Sequence, residues 1–204
     1  MLIEMGEEKR SIVERVEKIA KLLYPKAGTH GWEHVERVMA ISLKIASEEK
    51  SPVDEFVLRL ACLLHDVSRR KGSADHAAES AEAAEEILNG FGLKKEEVER
   101  VKEAILSHSF SGGRSPRTLE GAILSDADKI DALGAVGIAR VFEYSGENGR
   151  TLEESVKHFY EKILKLPSMM LTPPGKSIAE ERAKFVKEFL SKLEEEMSFG
   201  KAES

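Results

Sequence analysis

Five of the six histidines fall between residues 30 and 108: His30, His34, His65, His76 and His108. Three of the six aspartates, Asp126, Asp128 and Asp131, crowd into "SDADKIDALGA" (residues 125–135), in a chain that otherwise draws its negative charge from thirty-one glutamates. A fourth, Asp66, directly follows His65 in "LLHDVSRR". Aspartate is a poorer helix former than glutamate, and its short carboxylate suits a fixed position such as a ligand or a cap. Imidazole and carboxylate together are the usual ligands of Zn, Mn, Fe, Co or Ni. Zinc-finger spacing is absent because there is a single cysteine, Cys62. Any one of these histidines is more often a hydrogen-bonded core or helix-end residue than a ligand. Several imidazoles and carboxylates aimed into one apolar bundle are different, because only a cation compensates them. His158, in a late amphipathic segment, is expected to be incidental.

The elements that must position these groups read as helix nearly throughout. Residues 2–23 form a charged amphipathic helix, and a second runs from about Glu33 to Glu49 with His34, Val38, Ile41 and Ile45 on one face. A capping box of Ser51, Pro52 and Asp54 starts a third through "EFVLRLACLLHD". A fourth spans about Ala74–Leu88 and stops at "NGFG"; a fifth spans about Lys95–His108, where His108 continues the stripe Val98, Val101, Ile105. A sixth, about Leu119–Tyr144, carries the aspartate cluster and is expected to bend near Gly134 and Gly137. Boxes of Thr151 with Glu154 and of Ser177 with Glu180 start two final helices. The stretch between them, "LKLPSMMLTPPGK", is too rich in proline to be helical. The expectation is an all-α, single-domain bundle of about eight helices, with a core over about residues 15–145 and a helical extension over about 150–198.

Composition bounds the function. A chain of 204 residues with 33% charged and 41% hydrophobic residues fits one domain of ordinary size. The formal net charge of −6 argues against non-specific binding to a nucleic acid duplex or an anionic membrane. No apolar run approaches the roughly 20 residues of a membrane span, and "MLIEMGEEKRS" is not a signal peptide. One cysteine, in the apolar run "LRLACLLH", allows no internal disulfide and reads as a small buried hydrophobe in a reducing, cytoplasmic setting. The absence of glutamine beside abundant Glu, Lys and Arg is a composition that fits a heat-adapted organism.

The order His34, then "HD" at 65–66, then an aspartate in "DADKIDALGA" resembles the HD superfamily of metal-dependent phosphohydrolases. "HGWEHVERV", "LACLLHDV", "AILSHSF" and "ILSDADKIDALGAVGIARVF" resemble its small single-domain bacterial and archaeal branch. "HFYEKILKLPSMMLTPPGKSIAEERAKFVKEFL" is similar to the C-terminal extension of that branch, so the likeness covers about residues 15–192. One departure is visible: where the branch often has a second "HD", this chain has His30–Gly31. The resemblance implies four metal ligands, His34, His65, Asp66 and Asp128. They would hold a divalent ion (Mn, Ni, Co, Fe, Zn or Mg), one or two per chain. Such an ion lowers the pKa of bound water from about 16 toward about 7. Lys129 is the first candidate for positive charge at the phosphate. His76 and His108 resemble positions that bind phosphate, assist proton transfer or hold a second metal. Arg69, Arg70, Arg114 and Arg117 lie near the same helix ends.

Periodicity and resemblance disagree over the aspartate. At about 100° per residue, Asp131 lies nearer the centre of the apolar stripe Leu124, Ala127, Ile138 than Asp128 does, and Asp126 points away. Asp126, pointing away, is expected to be exposed, a cap or a supporting group; the resemblance selects Asp128 as ligand, which leaves Asp131 as an inner carboxylate beside the metal and substrate, or a hydrogen-bond orienter. The implied activity is hydrolysis of a phosphate ester or anhydride of a nucleotide or similar small molecule, by a monomer or homodimer. Two alternatives are an oxygen-activating di-iron protein and a non-catalytic nucleotide sensor.

Overall fold

A computed structural model describes residues 2–3, 5–26, 28–69, 75–108 and 114–199. Arg70 and Ala74 lie outside the described residues. The order is β1 (Leu2–Ile3), α1 (Glu7–Leu23), α2 (Trp32–Glu48), β2 (Val53–Asp54), α3 (Glu55–Leu64), α4 (His76–Asn89), α5 (Lys95–His108), α6 (Leu119–Asp131), α7 (Gly134–Glu147), α8 (Leu152–Glu161) and α9 (Pro173–Ser198). The fold is all-α apart from one short parallel pair, in which Leu2 faces Val53 and Ile3 faces Asp54.

Helix α3 is the centre of the bundle. Phe56, Val57, Leu58 and all of Leu60–Leu64 are buried, so it is apolar almost all round, as a helix with neighbours on every side must be. Each large apolar side chain so buried contributes roughly 1.5–3 kcal/mol. Helices α1, α2, α5 and α6 pack around it. The chain leaving its C-terminus, at His65 and Asp66, therefore emerges in the interior.

The helix starts correct three expectations. Asp54, not Ser51, caps α3: its carboxylate accepts from the backbone N–H groups of Phe56 (3.1 Å) and Val57 (3.3 Å), while residues 53–54 pair as strand. The Ser177 box does not start α9. That helix begins five residues earlier, with Thr172 accepting from Gly175 N–H at 3.1 Å and Pro173 and Pro174 in the first turn, where a missing N–H costs nothing. The proline-rich stretch is also partly ordered, as a 3-10 turn over Ile163–Met169. The Thr151–Glu154 box is present as expected.

The expected bend is a full break, and it raises the count to nine α-helices among the described residues. Helix α6 ends at Asp131, and Gly134 opens α7 with φ +71°, a left-handed conformation that favours glycine. A Cβ on Gly137 would sit 2.2 Å from the carbonyl oxygen of Ala132, so only glycine allows this close turn. Beyond the break, α7 packs on α9, α8 on the 3-10 turn, and α9 back onto α6.

Candidate metal centre

The histidines and aspartates meet where helices begin and end. His34 is in the first turn of α2, His65 and Asp66 follow α3, His76 opens α4, His108 closes α5, and Asp128 is one turn from the end of α6. Their rings form a chain of edge contacts: His30–His34, His34–His65, His65–His108 and His108–His76, with centroids 5.2–5.6 Å apart.

Hydrogen bonding fixes which nitrogens face inward. His65 Nδ1 lies 2.8 Å from the carbonyl oxygen of Cys62, and His108 Nδ1 lies 2.5 Å from that of Ile105. Only an N–H can face a carbonyl, so both rings carry their proton on Nδ1. His34 Nδ1 lies 2.8 Å from Asp131 Oδ2, which selects the same tautomer. Three Nε2 lone pairs are thereby turned into one buried space. His34 and His65 present theirs to each other at 3.3 Å with no proton to share, and Asp128 Oδ1 is 3.4 Å from His34 Nε2. This is a donor set without donors, the arrangement a divalent cation satisfies.

Three overlapping groups have ligand atoms within 4.8 Å of one another: His34, His65 and Asp128; His30, His34 and Asp66; Asp66, His76 and His108. Asp66 is central. Its Oδ2 is 3.3 Å from His30 Nδ1 and 4.0 Å from His65 Nε2, and its Oδ1 is 3.7 Å from His76 Nε2 and 3.8 Å from His108 Nε2. His30 Nδ1 is itself buried without an aligned hydrogen-bond partner. Burial works against ionised Asp66 and Asp128, but the surrounding imidazoles hold both carboxyls far below their usual range, and Arg69, 3.0 Å from Asp66, adds to the effect there. Burial dominates at His65, whose imidazole is pushed down to about 4 and so kept neutral.

The three clustered aspartates part company. Asp128 is partly open to the cavity. Asp131 is fully buried behind His34: Oδ2 accepts from His34, Arg37 and Arg140, and Oδ1 from Arg37 Nε at 2.7 Å. It stands behind His34 and does not line the cavity, contrary to its expected place beside the substrate. Asp126, expected to be exposed, is fully buried. It accepts from Leu171 N–H (2.9 Å), Thr172 N–H (2.8 Å) and the Thr172 hydroxyl (2.7 Å), tying the start of α9 to α6. The face of α6 away from α2 and α3 is not solvent but the seat of the C-terminal segment.

A cavity of about 830 Å³ opens from the centre, lined there by His30, Arg69, His76, Asp128 and Lys129. Lys129 Nζ donates to Ser125 Oγ at 2.5 Å and to its carbonyl oxygen at 3.0 Å, and burial lowers its pKa. Arg114 and Arg117 are exposed and stand off the cavity wall. Tyr24, Arg37 and Arg140 gave no signal in the sequence. Tyr24 Oη accepts from the Asp66 N–H at 3.1 Å, and the two arginines hold Asp131 from α2 and α7. His158 is not incidental in position: it lies on the far wall of the same cavity.

The chain is similar to the uncharacterized protein YpgQ of Bacillus subtilis, 34% identical over 187 residues that span 88% of this chain and 90% of that one. A crystal structure of YpgQ in complex with ADP superposes with a TM-score of 0.77 at 30% identity, covering 93% of this chain and 96% of the other. An HD-superfamily hydrolase from Bacillus thuringiensis gives 0.75 at 31% identity, with 96% and 100% covered. Residues 31–133 match the HD domain, and that span holds His34, His65, Asp66, His76, His108, Asp128 and Asp131. On these grounds the chain belongs to the HD superfamily.

Proposed function

We propose that this protein is a metal-dependent phosphohydrolase acting on a nucleotide or a similar small phosphate ester or anhydride. The observation that carries the reading is the convergence of the His34, His65 and His108 Nε2 lone pairs with Asp66 and Asp128 at one end of the cavity. His34, His65, Asp66 and Asp128 would hold the ion, which when bound acidifies water and polarises a phosphoryl oxygen. Asp131 orients His34 by holding its Nδ1 proton, so that Nε2 is the nitrogen aimed at the ion. Arg69 balances the charge on Asp66, so the centre is not left with excess negative charge that would repel a phosphate. Lys129, one residue from Asp128 and on the cavity wall, turns from Ser125 to the phosphate as a point charge. The similar YpgQ, solved with ADP, supports a nucleotide as the ligand class. A cytoplasmic location goes with such a substrate.

The test is a screen of nucleoside mono-, di- and triphosphates with Mn, Mg, Co and Ni, reading phosphate and pyrophosphate separately. Metal-dependent release that chelation abolishes and Asp66→Ala removes is the expected result. Full turnover by Asp66→Ala would refute the assignment. A second reading rests on Asp66, His76 and His108, which form a ligand group of their own sharing Asp66 with the first. Two irons per chain and an iron absorption spectrum in an aerobic sample, without phosphate release, would replace hydrolysis with oxygen chemistry.

A further inference from the structure

The cavity has two ends made by different parts of the chain. The metal end is built by residues of the HD-domain match, 31–133, with His30 just before it, whereas the far end is built by residues between Tyr144 and Met169. Charge at the far end runs against that of the molecule. The chain has 37 acidic and 31 basic residues, yet among the described residues the cavity wall holds six arginines and lysines and two carboxylates, Asp128 and Glu161.

Three of those six cations are engaged near the centre: Arg69 by Asp66, Arg140 by Asp131 and Lys129 by Ser125. The carboxylate at the far end is engaged too, since Glu161 lies 3.5 Å from Lys157. That leaves Arg150, Lys162 and Lys165 on one wall, none of them in an ion pair among the described residues. The Arg150 guanidinium stacks on the Tyr144 ring, 4.8 Å from its centroid, which restrains it. His158 sits beside them, and burial, then Lys162 and Arg150, lower its pKa. Cations without counter-charges on a concave wall focus positive potential into it.

We propose that Arg150, Lys162 and Lys165 form a second anion-binding subsite, which takes an anionic group of the substrate remote from the phosphoryl group at the metal. This deepens the nucleotide-phosphohydrolase reading and rests on it. The metal end recognises a phosphoryl group, and the chain beyond residue 133 selects substrates that carry another. Asp126, by gripping Leu171 and Thr172, holds this wall in register with the helix that carries Asp128.

The test uses the full chain loaded with Mn(II) and the α,β-methylene analogue of ADP, which resists hydrolysis of that linkage. The triple variant Arg150→Gln, Lys162→Gln, Lys165→Gln should bind the analogue about 10–100-fold more weakly than wild type, as losing a few partly solvated charge-assisted contacts implies. Adenosine, which has no anionic group, should bind both proteins alike, and Lys162→Arg with Lys165→Arg should retain affinity for the analogue. Equal analogue binding by wild type and triple variant would overturn the subsite. So would a parallel loss of adenosine binding, which signals a collapsed wall. Release of phosphate or pyrophosphate from nucleotides by the same preparations separates the two ideas: absence of both sinks the hydrolase, while the ratio of analogue affinities still decides the subsite.

Discussion

Asp131→Asn tests the central claim about the aspartate cluster, that Asp131 serves the metal through His34 while Asp128 binds it directly. Donors from His34, Arg37 and Arg140 converge on Asp131 Oδ2, and Arg37 Nε alone meets Oδ1. An amide has one acceptor oxygen. Its better orientation puts that oxygen where three donors converge and turns the NH2 group against Arg37 Nε. The His34 bond then survives, but to a neutral acceptor. Hydrogen bonds to charged groups contribute about 1.5–3 kcal/mol and neutral ones about 0.5–1.5. The orienting bond therefore weakens by about 1–1.5 kcal/mol, or about 5–15-fold in metal affinity. That sits at the lower edge of the roughly 10–100-fold typical for partners behind a metal ligand. Competition of Mn(II) between the protein and a chromophoric chelator measures it directly. Asp128→Asn should lose far more, and Asp126→Asn should stay close to wild type. If Asp131→Asn lost as much as Asp128→Asn, Asp131 would be the ligand, as helical periodicity alone suggests. Wild-type affinity in Asp131→Asn would show that His34 needs no orienting partner.

Lys129→Met should leave metal content unchanged and lower kcat/KM by about 2–4 kcal/mol of transition-state stabilisation, read at fixed metal concentration; unchanged kinetics would remove Lys129 from the site. Asp126→Ala strands two backbone N–H groups and the Thr172 hydroxyl, so it should cost about 3 kcal/mol or more and lower Tm by about 6–12 °C, while the protein still binds Mn(II). A Tm within 2 °C of wild type, taken as about the effect of 1 kcal/mol or less, would mean the clamp is dispensable. Metal-stripped protein should lose stability as pH falls from about 6.5 toward 4. The folded state holds His65 at about 4, with His30 and His76 also lowered, so the unfolded chain gains protons first. His34, raised by Asp128 and Asp131 against burial, runs the other way, and a chemical-denaturation series that rises in stability over this range would show that it dominates.

Most of the helices were legible because their apolar stripes and helix-end residues are local. His34, Val38, Ile41 and Ile45 all turned inward as their spacing implies. The caps at Ser51 and Ser177 were misread because a capping box is only four residues long. At Asp54 the backbone is also claimed by a strand partner about fifty residues away, and at Thr172 two prolines allow an earlier start. Asp126 was misplaced for a related reason. Periodicity locates the face of α6 that meets α2 and α3, but says nothing of a second neighbour, and α9 covers the opposite face. Arg37 and Arg140 look like surface cations in sequence, since it is Asp131, 94 and 9 residues away, and for Arg140 also the Thr29 carbonyl oxygen, that makes them anything else. The fold of the chain beyond Pro173 and the far wall of the cavity were thus hidden in long-range contacts, not in weak local signals.

For the histidines, the structural and the chemical interpretations turn out not to compete. His65 and His108 each use Nδ1 to donate to the carbonyl three residues earlier, at the C-terminal ends of α3 and α5. Those carbonyls lie in the last turn, where helical partners run out, so the ring does the work of a helix-end cap. The same bond selects the tautomer and leaves Nε2 bare, and each ring is itself buried. A histidine stabilising a helix end in a dry interior is therefore already most of a metal ligand. What it lacks is a second and third lone pair aimed at the same point, and His34 and Asp128 supply them from α2 and α6. Replacing either helix-end histidine should then cost the fold as well as the ion, whereas His34, whose Nδ1 is served by a side chain, is the proposed ligand whose replacement should alter metal binding with the helix ends left intact.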